Sequence, residues 1–174
     1  MYGADIQAAC SLDERSKLTS SSIRLPNQSS PIVLIHSENL DCRDLQSSSR
    51  VNDVQNEAAS GILKHFDEKL NRDLSIVCLC LYSAEARLLK AKKFSKCVTV
   101  LTGDAFQAQE ADIIVIVTTR SIVFGAEKRN ALDFIQNAKR VATVVSRAKH
   151  GLLLIGISIR YRRALLGDFL SERP

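Results

Sequence analysis

Two segments concentrate the side chains able to do chemistry. The first, Thr102-Gly103-Asp104-Ala105-Phe106-Gln107-Ala108-Gln109-Glu110-Ala111-Asp112, places hydroxyl, amide and carboxylate groups between the apolar runs Val98 to Leu101 and Ile113 to Val117. The second, Lys139-Arg140-Val141-Ala142-Thr143-Val144-Val145-Ser146-Arg147-Ala148-Lys149-His150-Gly151, carries two arginines, two lysines and a histidine into the apolar run Leu152 to Ile155. A guanidinium stays charged and donates two parallel hydrogen bonds, so arginine suits recognition of phosphoryl oxygens. Neither segment is a self-sufficient catalyst. His150 has no Ser, Cys or carboxylate pattern beside it and reads as structural. The seven glycines include no G-x-x-x-x-G-K-[ST] phosphate loop and no G-x-G-x-x-G after a strand. The acidic pairs Asp13-Glu14 and Asp67-Glu68 fall in a polar lead-in and on an amphipathic helix, not at a strand end.

The elements that must position these residues are legible from periodicity. Ile32 to Ile35, Ile76 to Leu81, Val98 to Leu101, Ile113 to Val117 and Leu152 to Ile155 are short continuous apolar runs, the pattern of parallel strands buried on both faces. Between them, Ala58, Ala59, Ile62, Leu63, Phe66 and Leu70 recur at helical spacing, and a second helix-like stretch holds Ala84, Ala86, Leu88, Leu89 and Ala91. Strands alternating with helices predict a layered α/β domain. Such folds bind ligands at the carboxyl ends of their strands, which directs attention to the segments after Leu81, Leu101 and Val117. Residues 1–30, rich in Ser and other polar residues, read as a flexible lead-in, and 31–174 as one domain.

Composition narrows the function classes. Twenty-four Lys and Arg against nineteen Asp and Glu give a formal charge of +5, compatible with a polyanionic partner. Five cysteines with no C-x-x-C pair indicate neither a disulfide framework nor a zinc site. Cys78 and Cys80, two apart in a strand, should face one side as small buried hydrophobes. No stretch approaches the roughly 18 apolar residues of a membrane span, and Met1 to Leu12 lacks a signal-peptide pattern. The expectation is no membrane and a cytoplasmic or nuclear location.

The first segment closely resembles motif V of superfamily 1 helicases, in the branch that includes senataxin and the nonsense-mediated-decay helicase, where the pattern is T-V-D-x-F-Q-G-x-E-x-D and then a strand ending near V-R-S. The second resembles motif VI of the same branch, R-R-L-N-V-A-L-T-R-A-K-H-G. Leu81-Tyr82-Ser83-Ala84-Glu85 is a weaker match to motif IV, T-P-Y-R-A-Q, and Asn56-Glu57-Ala58 echoes an N-x-x-E-A segment opening a helix. The resemblance runs over roughly residues 31 to 171. It implies a three-layer RecA-like (P-loop NTPase-like) fold with a mainly parallel sheet, here without its own phosphate loop, acting as the second of two RecA-like lobes.

The resemblance further implies roles. Arg147 would be the catalytic arginine that meets the transferring phosphoryl group. Gln107, Glu110 and Arg140 would line the nucleotide cleft, with Tyr82 near the adenine. Thr102 and Asp104 would lie beside a bound RNA or DNA strand, or simply make a turn after the strand. ATP with Mg²⁺ would bind only in combination with a first RecA-like lobe, supplied in cis or in trans. Departures accompany the match: Ala108 replaces a glycine, Ala142 an asparagine, Leu81 a proline and Glu85 a glutamine. The expected activity is therefore a contribution to a shared helicase ATP site with no autonomous hydrolysis. The alternative is a catalytically inactive helicase remnant that binds protein or RNA.

Overall fold

The computed structural model describes residues 11, 13, 17, 18, 21, 23–26, 30–37, 39–70, 73–106, 109–120 and 146–156. In chain order the elements are strand β1 (Ile32–His36), a short hairpin of β2 (Cys42–Arg43) and β3 (Arg50–Val51), helix α1 (Asp53–Lys69), β4 (Ile76–Cys80), α2 (Ser83–Ala91), β5 (Val98–Thr102), a 3-10 turn (Gly103–Phe106), β6 (Ala111–Val117) and β7 (Ala148–Gly156). The five predicted strands are all present. They form one parallel sheet in the order β1-β7-β6-β4-β5.

Alternation within the buried strands divides the core. Ile76, Cys78, Cys80, Ile113, Val115, Val117, Leu153 and Ile155 face a layer formed by Ala59, Leu63 and Phe66 of α1 and Ala86 and Leu89 of α2. Both cysteines are fully buried there, as their spacing predicts. Val77, Leu79, Ile114, Ile116, Leu152 and Leu154 face the other way, where Phe106 joins them. Burying an aliphatic side chain of this size contributes about 1.5–3 kcal/mol, so the paired faces hold the sheet. The result is an α/β domain built on a five-stranded parallel sheet, as the alternation of strands and helices predicts.

Two features add to the sequence reading. Leu18, Ile23 and Leu25 are buried in the core that α1 covers, so for these residues the expectation of a flexible lead-in does not hold. Their three apolar side chains are too widely spaced in a polar stretch to show a period. The polar segment around Ser47-Ser48-Ser49 forms the turn of the β2–β3 hairpin, held by the Asp44 N–H donating to the Ser49 carbonyl at 3.0 Å.

Helix α1 begins at Asp53, upstream of the periodic apolar residues. Asn52 has extended backbone and its Oδ1 accepts the Gln55 N–H at 3.1 Å, an N-cap of the kind worth about 1 kcal/mol. Among the described residues no helix is long and apolar enough to cross a membrane.

Candidate functional site

The parallel sheet has an amino edge and a carboxyl edge, and polar residues gather at both. At the amino edge, Glu110 and Arg147 precede the neighbouring strands β6 and β7. The Ala111 N–H donates to the Arg147 carbonyl at 3.1 Å, fixing the two backbones side by side. Arg147 NH1 lies 3.5 Å from Glu110 Oε1, and Lys149 Nζ lies 3.7 Å from Oε2 of the same carboxylate. The Arg147 side chain is 35% exposed, and its buried Nε–H has no acceptor among the described residues. An ion pair this open to water adds little stability. Its value is orientation: one carboxylate gathers two cations at one corner of the sheet.

A β-bulge shapes that corner. Ala111 is in register with Ala148, whereas Ile113 is in register with Gly151, so Lys149 and His150 together face Asp112. His150 Nε2 sits 3.4 Å from Asp112 Oδ1. Asp112 Oδ2 accepts both the N–H and the hydroxyl of Ser75, at 2.8 and 2.7 Å. Burial is the largest single influence on Asp112 and acts upward. The two Ser75 hydrogen bonds, with His150 and Lys149, outweigh it and hold this carboxyl below the usual range. His150 is thus a buried brace, and its carboxylate partner Asp112, itself bonded to Ser75, is one that the sequence did not show. Next to it, Gly151 faces Leu18 so closely that an added Cβ would meet Leu18 Cδ2 at 2.1 Å.

At the carboxyl edge a buried polar network joins α1, α2 and the end of β6. Glu85, fully buried in the first turn of α2, accepts the Asn52 N–H at 2.9 Å, the Asn56 side-chain amide at 2.6 Å and the Thr119 hydroxyl at 3.1 Å. Burial raises its pKa from the ordinary carboxylate value, and the three donors offset only part of that shift. Thr119 has φ 63°, a left-handed conformation that a β-branched residue rarely adopts. The Arg120 N–H donates to the Thr118 carbonyl at 2.7 Å across it, giving a tight three-residue turn. Strain of this kind costs about 1–3 kcal/mol and persists only where surroundings enforce it. Here they do: the Thr119 N–H donates to Gln55 Oε1 at 2.8 Å, and its carbonyl accepts from Asn52 Nδ2 at 3.2 Å. Beyond the turn, Arg120 Nε donates to the Tyr82 hydroxyl at 3.2 Å and its NH1 reaches Asp41 at 3.4 Å.

The family described as an AAA domain matches residues 1–158. The chain belongs to this AAA-domain family. That family is of the helicase C-terminal type. A segment of 103 residues is 31% identical to the NFX1-type zinc finger-containing protein 1 homolog of Caenorhabditis elegans, covering 55% of this chain. The chain spans 4% of the length of that relative. Among solved structures, the C-terminal domain of a possible DNA helicase from Lactobacillus plantarum aligns over 72% of each chain with 14% identity and a TM-score of 0.43, and the fold assignment stands on the sheet itself.

Within this AAA-domain lobe the structure separates the residues singled out from sequence. Glu110 and Arg147 come together at the amino edge. Tyr82 does not join them. It follows the carboxyl end of β4, whereas Glu110 precedes β6, so the length of β6 (Ala111–Val117), about 20 Å at ~3.3 Å per residue, lies between them. Thr102 closes β5 and Asp104 lies exposed in the 3-10 turn, both on Tyr82's side of the sheet. The sequence reading looked for chemistry at carboxyl ends, and the Glu110–Arg147 pair lies at the other edge. Gln107 and Arg140, with the departures Ala108 and Ala142, lie outside the described residues.

Sequence reasoning missed the Glu85 network. Its only signals were the glutamate in place of a motif IV glutamine and the amides around the start of α1. Asn56, read as opening that helix, instead points inward to Glu85, while Glu57 faces water and pairs with Lys92 at 2.9 Å. Among the described residues no group of three His, Cys, Asp or Glu side chains is arranged to hold a metal ion.

Proposed function

We propose that this lobe supplies Arg147 to an ATP site completed by another RecA-like lobe, and that RNA or DNA runs along the carboxyl edge of its sheet. The observation carrying the first part is the Glu110–Arg147 pair, with a guanidinium that is partly exposed, oriented by a carboxylate and still holding an unused buried N–H. That donor set fits a phosphate group. The described residues offer no metal-binding cluster, so under this reading the ligands for Mg²⁺ come from the partner lobe.

In this reading ATP bound with Mg²⁺ provides the phosphoryl group to be transferred, and the chain's own residues orient and neutralise. Glu110 keeps Arg147 aimed out of the amino edge before nucleotide arrives. Arg147 then donates its paired N–H groups to phosphoryl oxygens as negative charge develops, the role in which the planar fork outperforms a point charge. Lys149, sharing Glu110, adds positive charge to the same corner. Gln107 and Arg140 complete the cleft by the motif V and VI resemblance. Tyr82, separated from that corner by the length of β6, leaves the nucleotide set in this reading and joins Thr102 and Asp104 on the nucleic-acid side.

The test is a two-lobe protein in which this chain is joined to the first lobe of a related helicase. It should hydrolyse ATP, with Arg147→Lys lowering kcat far more than nucleotide affinity. Turnover indifferent to that change rejects the arginine role. A folded but inactive fusion restored by Ala108→Gly with Ala142→Asn would support the alternative, a decayed lobe kept for binding. Nucleic-acid binding by the chain should be salt-sensitive and indifferent to sequence, because phosphate contacts carry no sequence information. Salt-independent affinity for one sequence would reject that part.

A further inference from the structure

Three observations at the carboxyl edge converge on Tyr82. Its hydroxyl is held by Arg120 Nε, and Arg120 directly follows the strained turn at Thr119. Thr119 is fixed at its N–H by Gln55, at its carbonyl by Asn52 and at its hydroxyl by Glu85. Finally, the arginines around this edge are already matched to acids: Arg120 and Arg50 both meet Asp41, whose side chain is 3% exposed, and Arg87 meets Asp44 at 2.8 Å. Tyr82 is half-buried and anchored through its hydroxyl, and an aromatic ring held in this way suits stacking on a base.

Resting on the nucleic-acid part of the proposed function, we infer that Glu85 and Gln55 are positioning residues: by holding Thr119 left-handed they set Arg120 against Tyr82 and make the Tyr82 ring a fixed stacking platform for an unpaired nucleobase. The causal order is geometric. Without its three anchors Thr119 should relax to negative φ, because a branched side chain clashes with the backbone at positive φ. The chain leaving β6 then points elsewhere and Arg120 no longer reaches the tyrosine hydroxyl. Glycine at 119 adopts positive φ without that clash, so it keeps the turn accessible when the anchors are gone.

The experiment compares binding of the full chain to fluorescein-labelled single-stranded oligo(dT) and to an abasic oligonucleotide of equal length and charge. The wild type should prefer oligo(dT), and Tyr82→Ala should remove about tenfold of that affinity or more while leaving abasic binding nearly unchanged, because stacking acts on bases alone. Glu85→Ala, and the size-conserving Glu85→Gln should the first variant fold poorly, should lose the same preference. Adding Thr119→Gly to either should restore most of it, an outcome that a merely structural role for Glu85 does not give. Additive losses from Glu85→Ala and Thr119→Gly overturn the positioning role. A wild type that binds both oligonucleotides equally overturns the platform while leaving the phosphate-contact reading intact, and a wild type that binds neither removes that reading and the platform together. The Arg120 Nε–H resonance of ¹⁵N-arginine-labelled protein reads the turn independently of any ligand. It should disappear in Glu85→Ala and return with Thr119→Gly, and persistence in Glu85→Ala also overturns the positioning role.

Discussion

The carbonyl of Arg147 accepts the N–H of Ala111 at 3.1 Å, and this one backbone bond sets Glu110, the residue before Ala111, beside the Arg147 guanidinium. Two positions 37 residues apart in the chain thereby become neighbours at the amino edge of adjacent strands. The pair is partly open to water, so its contribution should lie in aim and not in stability.

That distinction is measurable. Glu110→Gln should change unfolding free energy by no more than about 1 kcal/mol, the upper end for exposed ion pairs. In the two-lobe protein the same substitution should lower kcat, because the unheld guanidinium samples more orientations. A large loss of stability with unchanged kcat would assign Glu110 a structural role instead.

Glu85 gives a signature in pH. Its folded pKa is raised, chiefly by burial, so the folded state binds the proton more tightly than the unfolded chain. Its contribution to stability is therefore fully present below the unfolded pKa, about 4.3, and is lost as pH rises through the folded value. Chemical denaturation followed across that window should show the wild type losing stability relative to Glu85→Gln as pH rises. A difference between the two that is flat with pH would show that the carboxyl keeps its ordinary affinity for protons.

Asp112 should behave oppositely. Burial pushes its pKa up, but the Ser75 hydrogen bonds, His150 and Lys149 together bring it below the ordinary value. Its stabilisation is present above the unfolded pKa and is lost as pH falls through the folded one. Asp112→Asn should consequently flatten the acid side of the stability curve. Acid unfolding identical to that of the wild type would contradict the brace formed with Ser75 and His150.

Gly151→Ala tests the close approach of β7 to Leu18. The added methyl has no room unless Leu18 moves, and overpacking of this kind costs about 1–3 kcal/mol. Replacing Leu18 by Ala in the same chain should recover part of that loss, since it vacates the space the methyl needs. A neutral Gly151→Ala in thermal unfolding would mean that Leu18 does not pack there.

Sequence by itself determined the strands, both helices and the α/β class, because fully buried parallel strands require continuous apolar runs and a helix one-sided against a sheet requires a 3.6-residue period. It also marked Glu110 and Arg147 through the resemblance of two segments to helicase motifs V and VI. Only the tertiary structure decided which edge each residue occupies. Motif order carries no information about the amino and carboxyl ends of a sheet, so Tyr82 and Arg147, assigned together from the chain, lie on opposite edges. The same holds for Glu85, Gln55, Asn52 and Thr119. Polar residues at helix starts and strand ends look solvated in a one-dimensional reading, and burial turns them into a closed hydrogen-bonding set by bringing α1, α2 and β6 to one point.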